Sequence, residues 1–218
     1  MHRFHTVAFD LDGTLADTAP DLAASLNHGL AALGRDAIEP GRVRHLIGDG
    51  ARALVRKGLA ESGDVDDALV DRCFALFRDH YSDNICNGST CYPGIDAALD
   101  TLAEGGAKLA LCTNKSEGLA HKLLDALGWS ARFDSVVGGD TLAVKKPDPA
   151  PLLKAVALAG GGPAVFVGDS IIDAGAARAA GIPFVAVSFG FAGRPIGELD
   201  ADAVIDHYSE LPAALARL

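Results

Sequence analysis

The sequence predicts a doubly wound α/β fold with a mostly parallel sheet and an α-helical segment inserted near its start. Two observations carry this prediction. Short apolar or β-branched runs alternate with helical patterns over most of the chain, and this alternation favours parallel strands joined by helices. The interval from residue 17 to about residue 89 breaks the alternation, because it contains helical stretches and no convincing strand.

Six short runs have the composition of buried strands, and helical patterns with recognisable ends separate most of them. The segment 116–128 begins with Ser116 as its predicted N-cap and stops at a glycine. Segments 148–161 and 170–181 likewise open with proline or serine and close with glycine. The six predicted strands are TVAF at 6–9, KLALCT at 108–113, FDSVVGG at 133–139, AVFVGD at 164–169, FVAVSF at 184–189 and DAVID at 202–206.

The inserted interval carries two strong amphipathic patterns. Residues 21–34 place leucines on one helical stripe, and residues 66–81 do the same with apolar and aromatic side chains. These patterns predict a bundle of about four helices. YPGI at 92–95 marks the return to the sheet. We therefore expect two domains, a Rossmann-like core formed by 1–16 and 90–218 and a helical cap formed by 17–89.

The composition is that of a globular protein. Hydrophobic residues make up 49% of the 218 residues and charged residues 22%, with no long polar tract. A formal net charge of −10 disfavours nonspecific binding to nucleic acid or anionic membranes but permits a small anionic partner. No segment approaches the roughly 18 continuous apolar residues of a membrane span, and the N-terminus lacks the order of a signal peptide. We expect a cytoplasmic monomer or homodimer.

The stretch VAFDLDGTLAD at 7–17 places two aspartates directly after a buried strand, where an unpaired carboxylate would cost several kcal/mol. In an open parallel sheet, residues that end different strands converge beyond the carboxyl ends of those strands. The residues that this rule brings to one edge are Asp10 and Asp12, Thr113 and Asn114, Lys146, and Asp169.

Such a set of residues favours phosphoryl transfer. Clustered carboxylates raise one another's pKa unless a hard divalent cation lies among them, and Mg²⁺ accepts carboxylates together with a substrate phosphate. Asp10 is then the predicted nucleophile, and Asp12 the residue that protonates the leaving oxygen and later activates water. Thr113 is predicted to hold phosphate oxygens and Lys146 to supply positive charge.

Several assignments have simpler alternatives. A single aspartate after a strand is more often a helix cap than a catalyst. Asp173, four residues after Asp169, can orient Asp169 or bind a metal-bound water. Lys145 competes with Lys146 for the active-site role. The segment 48–50 is either an ordinary turn or part of substrate recognition.

DLDGTLAD, LCTNK, KKPDP and GDSIID, in that order, resemble the four motifs of the haloacid dehalogenase superfamily over nearly the whole chain. The resemblance implies the core with its cap, a phosphorylated Asp10, and Asp12 as general acid and base that also offers its backbone carbonyl to the metal. It further implies Thr113 and Lys146 as phosphate ligands and Asp169 as a magnesium ligand. Lys146 is chosen over Lys145 because the motif places its lysine directly before proline.

Within the superfamily, the acid at Asp12 argues against dehalogenases and phosphonate hydrolases, which lack it, and leaves phosphatases and phosphomutases. RHLIGDGARALVRKGL, YPGI and VVGGDTLAVKKPDPAPLL are most similar to bacterial phosphoglycolate phosphatases, which implies hydrolysis of 2-phosphoglycolate to glycolate. The alternatives are another small-metabolite phosphatase and a sugar phosphomutase like β-phosphoglucomutase. Such mutases have an arginine in this region of the cap, and Arg52 would match it one residue out of register. A noncatalytic phosphoacceptor module is disfavoured, because its acceptor lies on a later strand.

Overall fold

The computed structural model describes residues 4–191 and 195–218. The strands are β1 (Thr6–Phe9), β2 (Ala16–Asp17), β3 (Thr90–Cys91), β4 (Lys108–Cys112), β5 (Ser135–Val137), β6 (Ala164–Gly168), β7 (Phe184–Val187) and β8 (Ala203–Ile205). The main sheet has six of these strands in the order β5-β4-β1-β6-β7-β8, and every neighbouring pair is parallel. The doubly wound α/β prediction is therefore confirmed, with a main sheet that is parallel throughout.

The helices of the described ranges are α1 (Ala19–Ala32), α2 (Pro40–Arg44), α3 (Ala51–Ala60), α4 (Asp67–Asp83), α5 (Ile95–Glu104), α6 (Glu117–Ala126), α7 (Ala150–Leu158), α8 (Ile171–Ala180) and α9 (Leu211–Arg217), with short 3₁₀ turns at Ile196–Leu199 and Tyr208–Glu210. Helix α9 lies outside the predicted elements. Within the described part of the chain, no helix combines the length and the apolar character needed to cross a membrane.

The sheet is covered on both faces. Val7 and Phe9 of β1 belong to one apolar cluster, which continues into α5, α6 and the inserted helices. Ala8, which points to the opposite face, belongs to a second cluster with α7 and α8. Burial on both faces explains why the strands read as nearly continuous apolar runs.

Helices α1 to α4 form the inserted segment. Leu22, Leu26 and Leu30 of α1 are buried, as are Cys73 and Phe77 of α4, so the two predicted stripes do form core. The antiparallel pair β2 and β3 joins the two ends of the insertion, close to the predicted boundaries at residues 17 and 89. A pair of two-residue strands is too short to leave a sequence pattern. The division into two domains stays a prediction.

Strands β4, β1 and β6 are neighbours at the centre of the sheet, so their carboxyl ends lie side by side. Strand β4 ends at Cys112, one residue earlier than predicted, and leaves Thr113 in the loop above the edge. The third predicted strand is likewise confined to Ser135–Val137, because Gly138 and Gly139 pack against the backbone of residues 114 and 117.

Candidate active site

Three buried aspartates meet above the carboxyl ends of β1 and β6. One carboxylate oxygen each of Asp10, Asp169 and Asp173 lies within 4.8 Å of the others. The parallel register pairs Phe9 with Val167, and Asp10 N donates to the carbonyl of Val167 at 2.9 Å. The register of two adjacent strands therefore brings together Asp10 and Asp169, which are 159 residues apart in sequence.

Lys146 is the cation of this cluster. Its side chain is almost fully buried, and its Nζ lies 2.9 Å from Asp10 Oδ1 and 2.7 Å from Asp173 Oδ1. Burial alone would lower the pKa of Lys146, but the Asp10 and Asp173 carboxylates raise it well above its usual range. Lys145, in contrast, is exposed and donates from Nζ to the carbonyl of Asp49. The lysine before the proline is thus the one that reaches the carboxylates.

The cluster carries more negative than positive charge. Burial raises the pKa of Asp10 to about 7 although Lys146 opposes the rise, and burial together with Asp173 and Asp10 raises the pKa of Asp169 well above its ordinary value. Asp10 Oδ1 is buried, and apart from the ion pair with Lys146 it has no partner among the described residues. Three carboxylates that share a single ammonium group are a donor set that fits a hard divalent cation.

Asp169 is held by the turn that follows β1 and by the segment that follows β7. Its Oδ1 accepts from the Thr14 hydroxyl at 3.1 Å, and its Oδ2 accepts from the backbone N–H of Phe191 at 2.7 Å. Gly13 has φ +83°, and a Cβ there would lie 2.4 Å from Asp169 Oδ2. The glycine of the DLDG stretch is therefore needed both for its backbone conformation and for the space that Asp169 occupies.

Asp173 uses both of its oxygens within the protein. Oδ1 accepts from Lys146, while Oδ2 accepts from the N–H of Ser170 at 3.1 Å and from its hydroxyl at 2.5 Å, which completes a capping box at the start of α8. These contacts orient Lys146. The predicted direct role of Asp173 toward a metal or its water stays a prediction.

Asp12 lies beside the cluster with one carboxylate oxygen engaged. Oδ1 accepts from the Thr18 hydroxyl at 2.6 Å and lies 3.1 Å from Lys115 Nζ. Burial would lower the pKa of Lys115, but Asp12 and Tyr81 raise it above its usual range. Sequence reasoning missed Lys115, although a lysine in the loop after a buried strand, next to Thr113, was a usable signal.

Thr113 and Asn114 follow β4 but have different surroundings. Thr113 is buried, and its Oγ1 accepts from the backbone N–H of Lys115 at 3.2 Å, so its own hydroxyl hydrogen is available to a ligand. Asn114 Nδ2 donates to the carbonyls of Gly48 and Lys146, both at 3.1 Å, and its Oδ1 is buried without a partner among the described residues. Phosphate binding by Asn114 stays a prediction. Because its side-chain amide already donates to two carbonyls, its backbone N–H would be the group that binds phosphate.

A cavity of about 690 Å³ lies between these residues and the inserted helices. The segment 48–50 lines it and is tied to the sheet side through Asn114 and Lys145, so this segment is more than a solvent-exposed turn. Arg52 also lines the cavity, but its guanidinium pairs with Asp71. The helical side of the lining combines apolar and basic side chains, including Leu54, Lys57, Phe74, Phe77 and Arg78.

Known proteins resemble the chain over nearly its whole length. The profile of the haloacid dehalogenase-like hydrolases matches residues 7–187. Phosphoglycolate phosphatases of Mesorhizobium japonicum and Caulobacter vibrioides are 45% and 44% identical to the chain, over 96% and 98% of it and 94% and 91% of their own lengths. The crystal structure of a predicted phosphoglycolate phosphatase from Haemophilus somnus gives a TM-score of 0.92 at 31% identity and covers 98% of both chains.

The match to the family runs from β1 to the end of β7 and includes the inserted helices and every residue of the cluster. The resemblance carried by the four motifs is confirmed. The chain belongs to the haloacid dehalogenase-like hydrolase family.

Proposed function

We propose that this protein is a Mg²⁺-dependent phosphatase that hydrolyses 2-phosphoglycolate to glycolate and phosphate through an aspartyl-phosphate on Asp10. The observation that carries the proposal is the buried Asp10 carboxylate, whose Oδ1 lies 2.9 Å from Lys146 Nζ and has no other partner among the described residues. A phosphate group is an electrophile for such an oxygen once its charge is neutralised. The relatives that are 44% to 45% identical are phosphoglycolate phosphatases, which supports the choice of substrate.

The first half-reaction transfers the phosphoryl group to the protein. An Asp10 oxygen attacks phosphorus, the ester P–O bond breaks, and the leaving alkoxide takes a proton from Asp12. Lys146 and the Thr113 hydroxyl hold phosphate oxygens during the transfer. The products of this half-reaction are glycolate and the aspartyl-phosphate.

The second half-reaction returns the protein to its starting state. Asp12, now a carboxylate, takes a proton from water while that water attacks phosphorus, and the bond between phosphorus and the Asp10 oxygen breaks. Inorganic phosphate leaves, Asp10 is again a carboxylate, and Asp12 again carries its proton.

The residues that would hold the metal are Asp10 and Asp169 through their carboxylates and Asp12 through its backbone carbonyl. When bound, Mg²⁺ supplies positive charge that offsets the repulsion between the carboxylates and the substrate phosphate. Asp173 then acts through Lys146. Residues 17–89 form the cap of this proposal, which closes over the cavity to exclude water and opens for release. We further propose that the protein acts on a small anionic substrate in the cytoplasm, as a monomer or homodimer.

The substrate prediction is tested by phosphate release. Purified protein with Mg²⁺ is assayed against about twenty phosphorylated metabolites, including 2-phosphoglycolate, phosphorylated sugars and bisphosphates, with sugar-phosphate isomerisation followed in parallel. We expect 2-phosphoglycolate to have the highest kcat/KM and every tested sugar phosphate to remain unisomerised. Net isomerisation without phosphate release would favour the phosphomutase, for which the Arg52 to Asp71 pairing offers no support.

Metal removal is expected to abolish turnover. Without a dication, the buried carboxylates repel one another and the incoming phosphate, so activity in excess EDTA should fall by at least about 100-fold and return when Mg²⁺ exceeds the chelator. Mg²⁺ should also raise the Tm of the wild type, because it offsets that repulsion. The matched control is Asp169→Asn, which should lose most of the Mg²⁺-dependent Tm increase. Full activity in EDTA would reject the metal role.

A further inference from the structure

Lys115 connects the proposed acid and base to the helical cap. The residue is in the loop after β4, and only 7% of its surface is exposed. Its Nζ lies 3.1 Å from Asp12 Oδ1 and donates to the hydroxyl of Tyr81 at 2.7 Å. Tyr81 belongs to α4, so one ammonium group contacts a residue of the sheet side and a residue of the inserted segment at the same time.

The cap partner is firmly held. Tyr81 is 1% exposed and stacks on Phe77 with ring centroids 5.7 Å apart. Lys115 Nζ also lies 4.4 Å from the centroid of the Tyr81 ring, so the aromatic face adds to the attraction of the hydroxyl. A buried tyrosine on a packed helix gives Lys115 a fixed position only while α4 lies against the sheet side.

Only one carboxylate oxygen of Asp12 is restrained by these neighbours. Both Thr18 and Lys115 contact Oδ1, whereas Oδ2 makes no hydrogen bond within the described ranges. Asp12 also lines the cavity. The two contacts fix the plane of the carboxyl group without consuming the oxygen that would serve the substrate. A general acid misplaced by about 1 Å can lose roughly 100-fold in rate, so this restraint matters for proton transfer.

We propose that Lys115 and Tyr81 are positioning residues, which hold Asp12 in the orientation for proton transfer when the cap is closed. The inference rests on the proposed function, since it needs Asp12 to protonate a leaving alkoxide. It makes proton transfer dependent on a contact that crosses from the cap to the sheet side. Neither residue touches the reacting atoms in this proposal.

Dependence on the leaving group tests the inference. Glycolate leaves 2-phosphoglycolate as an alkoxide and needs a proton, whereas p-nitrophenyl phosphate releases a stabilised phenolate that needs none. Asp12 also serves the second half-reaction, which is the same for both substrates, so the first turnover is measured before the aspartyl-phosphate is hydrolysed. Lys115→Met, which keeps the length of the side chain and suits a buried position, should lower the first-turnover rate of glycolate release by about 10- to 100-fold with little change in the substrate concentration that gives half the maximal rate. The first-turnover release of p-nitrophenolate should stay within about threefold of the wild type. Tyr81→Phe should show the same selectivity with a smaller loss.

The matched control is Lys122→Met. Lys122 also reaches α4, through a 2.8 Å hydrogen bond from Nζ to Ser82, but it is exposed and contacts no described catalytic residue. This variant should leave both substrates unaffected. Thermal unfolding checks that each variant is folded, and Tyr81→Phe, which retains the ring, carries the test if Lys115→Met is unstable.

Two outcomes would overturn the inference. Equal losses of the first-turnover rate on both substrates would mean that Lys115 is merely structural. A higher half-saturating concentration of 2-phosphoglycolate with that rate preserved would mean that Lys115 binds the substrate carboxylate. Asp12→Asn is assayed in parallel, to distinguish failure of this inference from failure of the proposed function. If Asp12→Asn is selective for the alkoxide substrate and Lys115→Met is not, only the inference fails. If the wild type hydrolyses neither substrate, the proposed function fails first.

Discussion

Replacing Asp10 with asparagine is expected to abolish hydrolysis, with a loss of at least about 10³-fold in kcat. The amide keeps the size of the side chain but has no anionic oxygen to attack phosphorus, and it removes one of the charges that would hold the cation. Because Asp10 alone is proposed to accept the phosphoryl group, no neighbouring carboxylate should replace it. The rate is measured as phosphate released from 2-phosphoglycolate at saturating Mg²⁺.

The same substitution should not destabilise the fold. Burial raises the pKa of Asp10 to about 7, which means that the folded state disfavours its charged form, and a neutral amide escapes this cost. In chelator, Asp10→Asn should therefore unfold at the wild-type Tm or above it. Asp64→Asn, at an exposed position, is the control and should keep full activity. Rapid quenching of the wild type should trap label from the substrate on Asp10, and label found on another residue would refute the assignment.

The cluster could be predicted from the sequence because its residues are brought together by the topology of the sheet. Residues that end parallel strands must meet at one edge of the sheet, so Asp10 and Asp169 could be paired without knowledge of any side-chain position. Lys146 was distinguished from Lys145 through the resemblance, because the family motif places its lysine directly before proline. The structure gives these two lysines opposite surroundings, one nearly fully buried and one exposed.

The residues that sequence reasoning missed depend on how loops turn. Whether Lys115 faces solvent or Asp12 is decided by the packing of α4 against the loop after β4, and no periodicity encodes that contact. Asn114 was predicted as a site residue, but the hydrogen bonds from its amide to the carbonyls of Gly48 and Lys146 depend on loop packing in the same way. Asp21 is a third case. Its buried carboxylate accepts hydrogen bonds from residues 88 and 89 and so joins the two ends of the insertion, across a separation of 67 residues or more.

The cluster also explains how a strongly acidic protein can bind an anion. The net charge of −10 repels phosphate at long range, but salt screens such repulsion beyond about 10 Å. Within the cavity, a bound dication together with Lys146 would balance the three carboxylates and attract the phosphate at contact distance, where charge interactions are strongest. The rest of the surface can then remain acidic.

Replacing Lys146 with methionine is expected to lower both activity and stability. The loss of the ammonium leaves Asp10 and Asp173 without their counter-charge, and removing one partner of a buried ion pair costs about 3 to 5 kcal/mol. A phosphate ligand is lost as well, so kcat/KM should fall by at least about 10²- to 10³-fold. Urea unfolding and phosphate release measure the two effects, with Lys154→Met, at an exposed position of α7, as the control.

A second substitution separates charge from chemistry. In Lys146→Met combined with Asp173→Asn, one of the stranded carboxylates is neutralised, so part of the lost unfolding free energy should return while activity stays low. Additive losses in the double variant would mean that Lys146 stabilises the fold through packing of its side chain, since sites that share an ion pair deviate from additivity. Mg²⁺ should stabilise the single variant more than the wild type, because the cation then offsets a larger excess of negative charge.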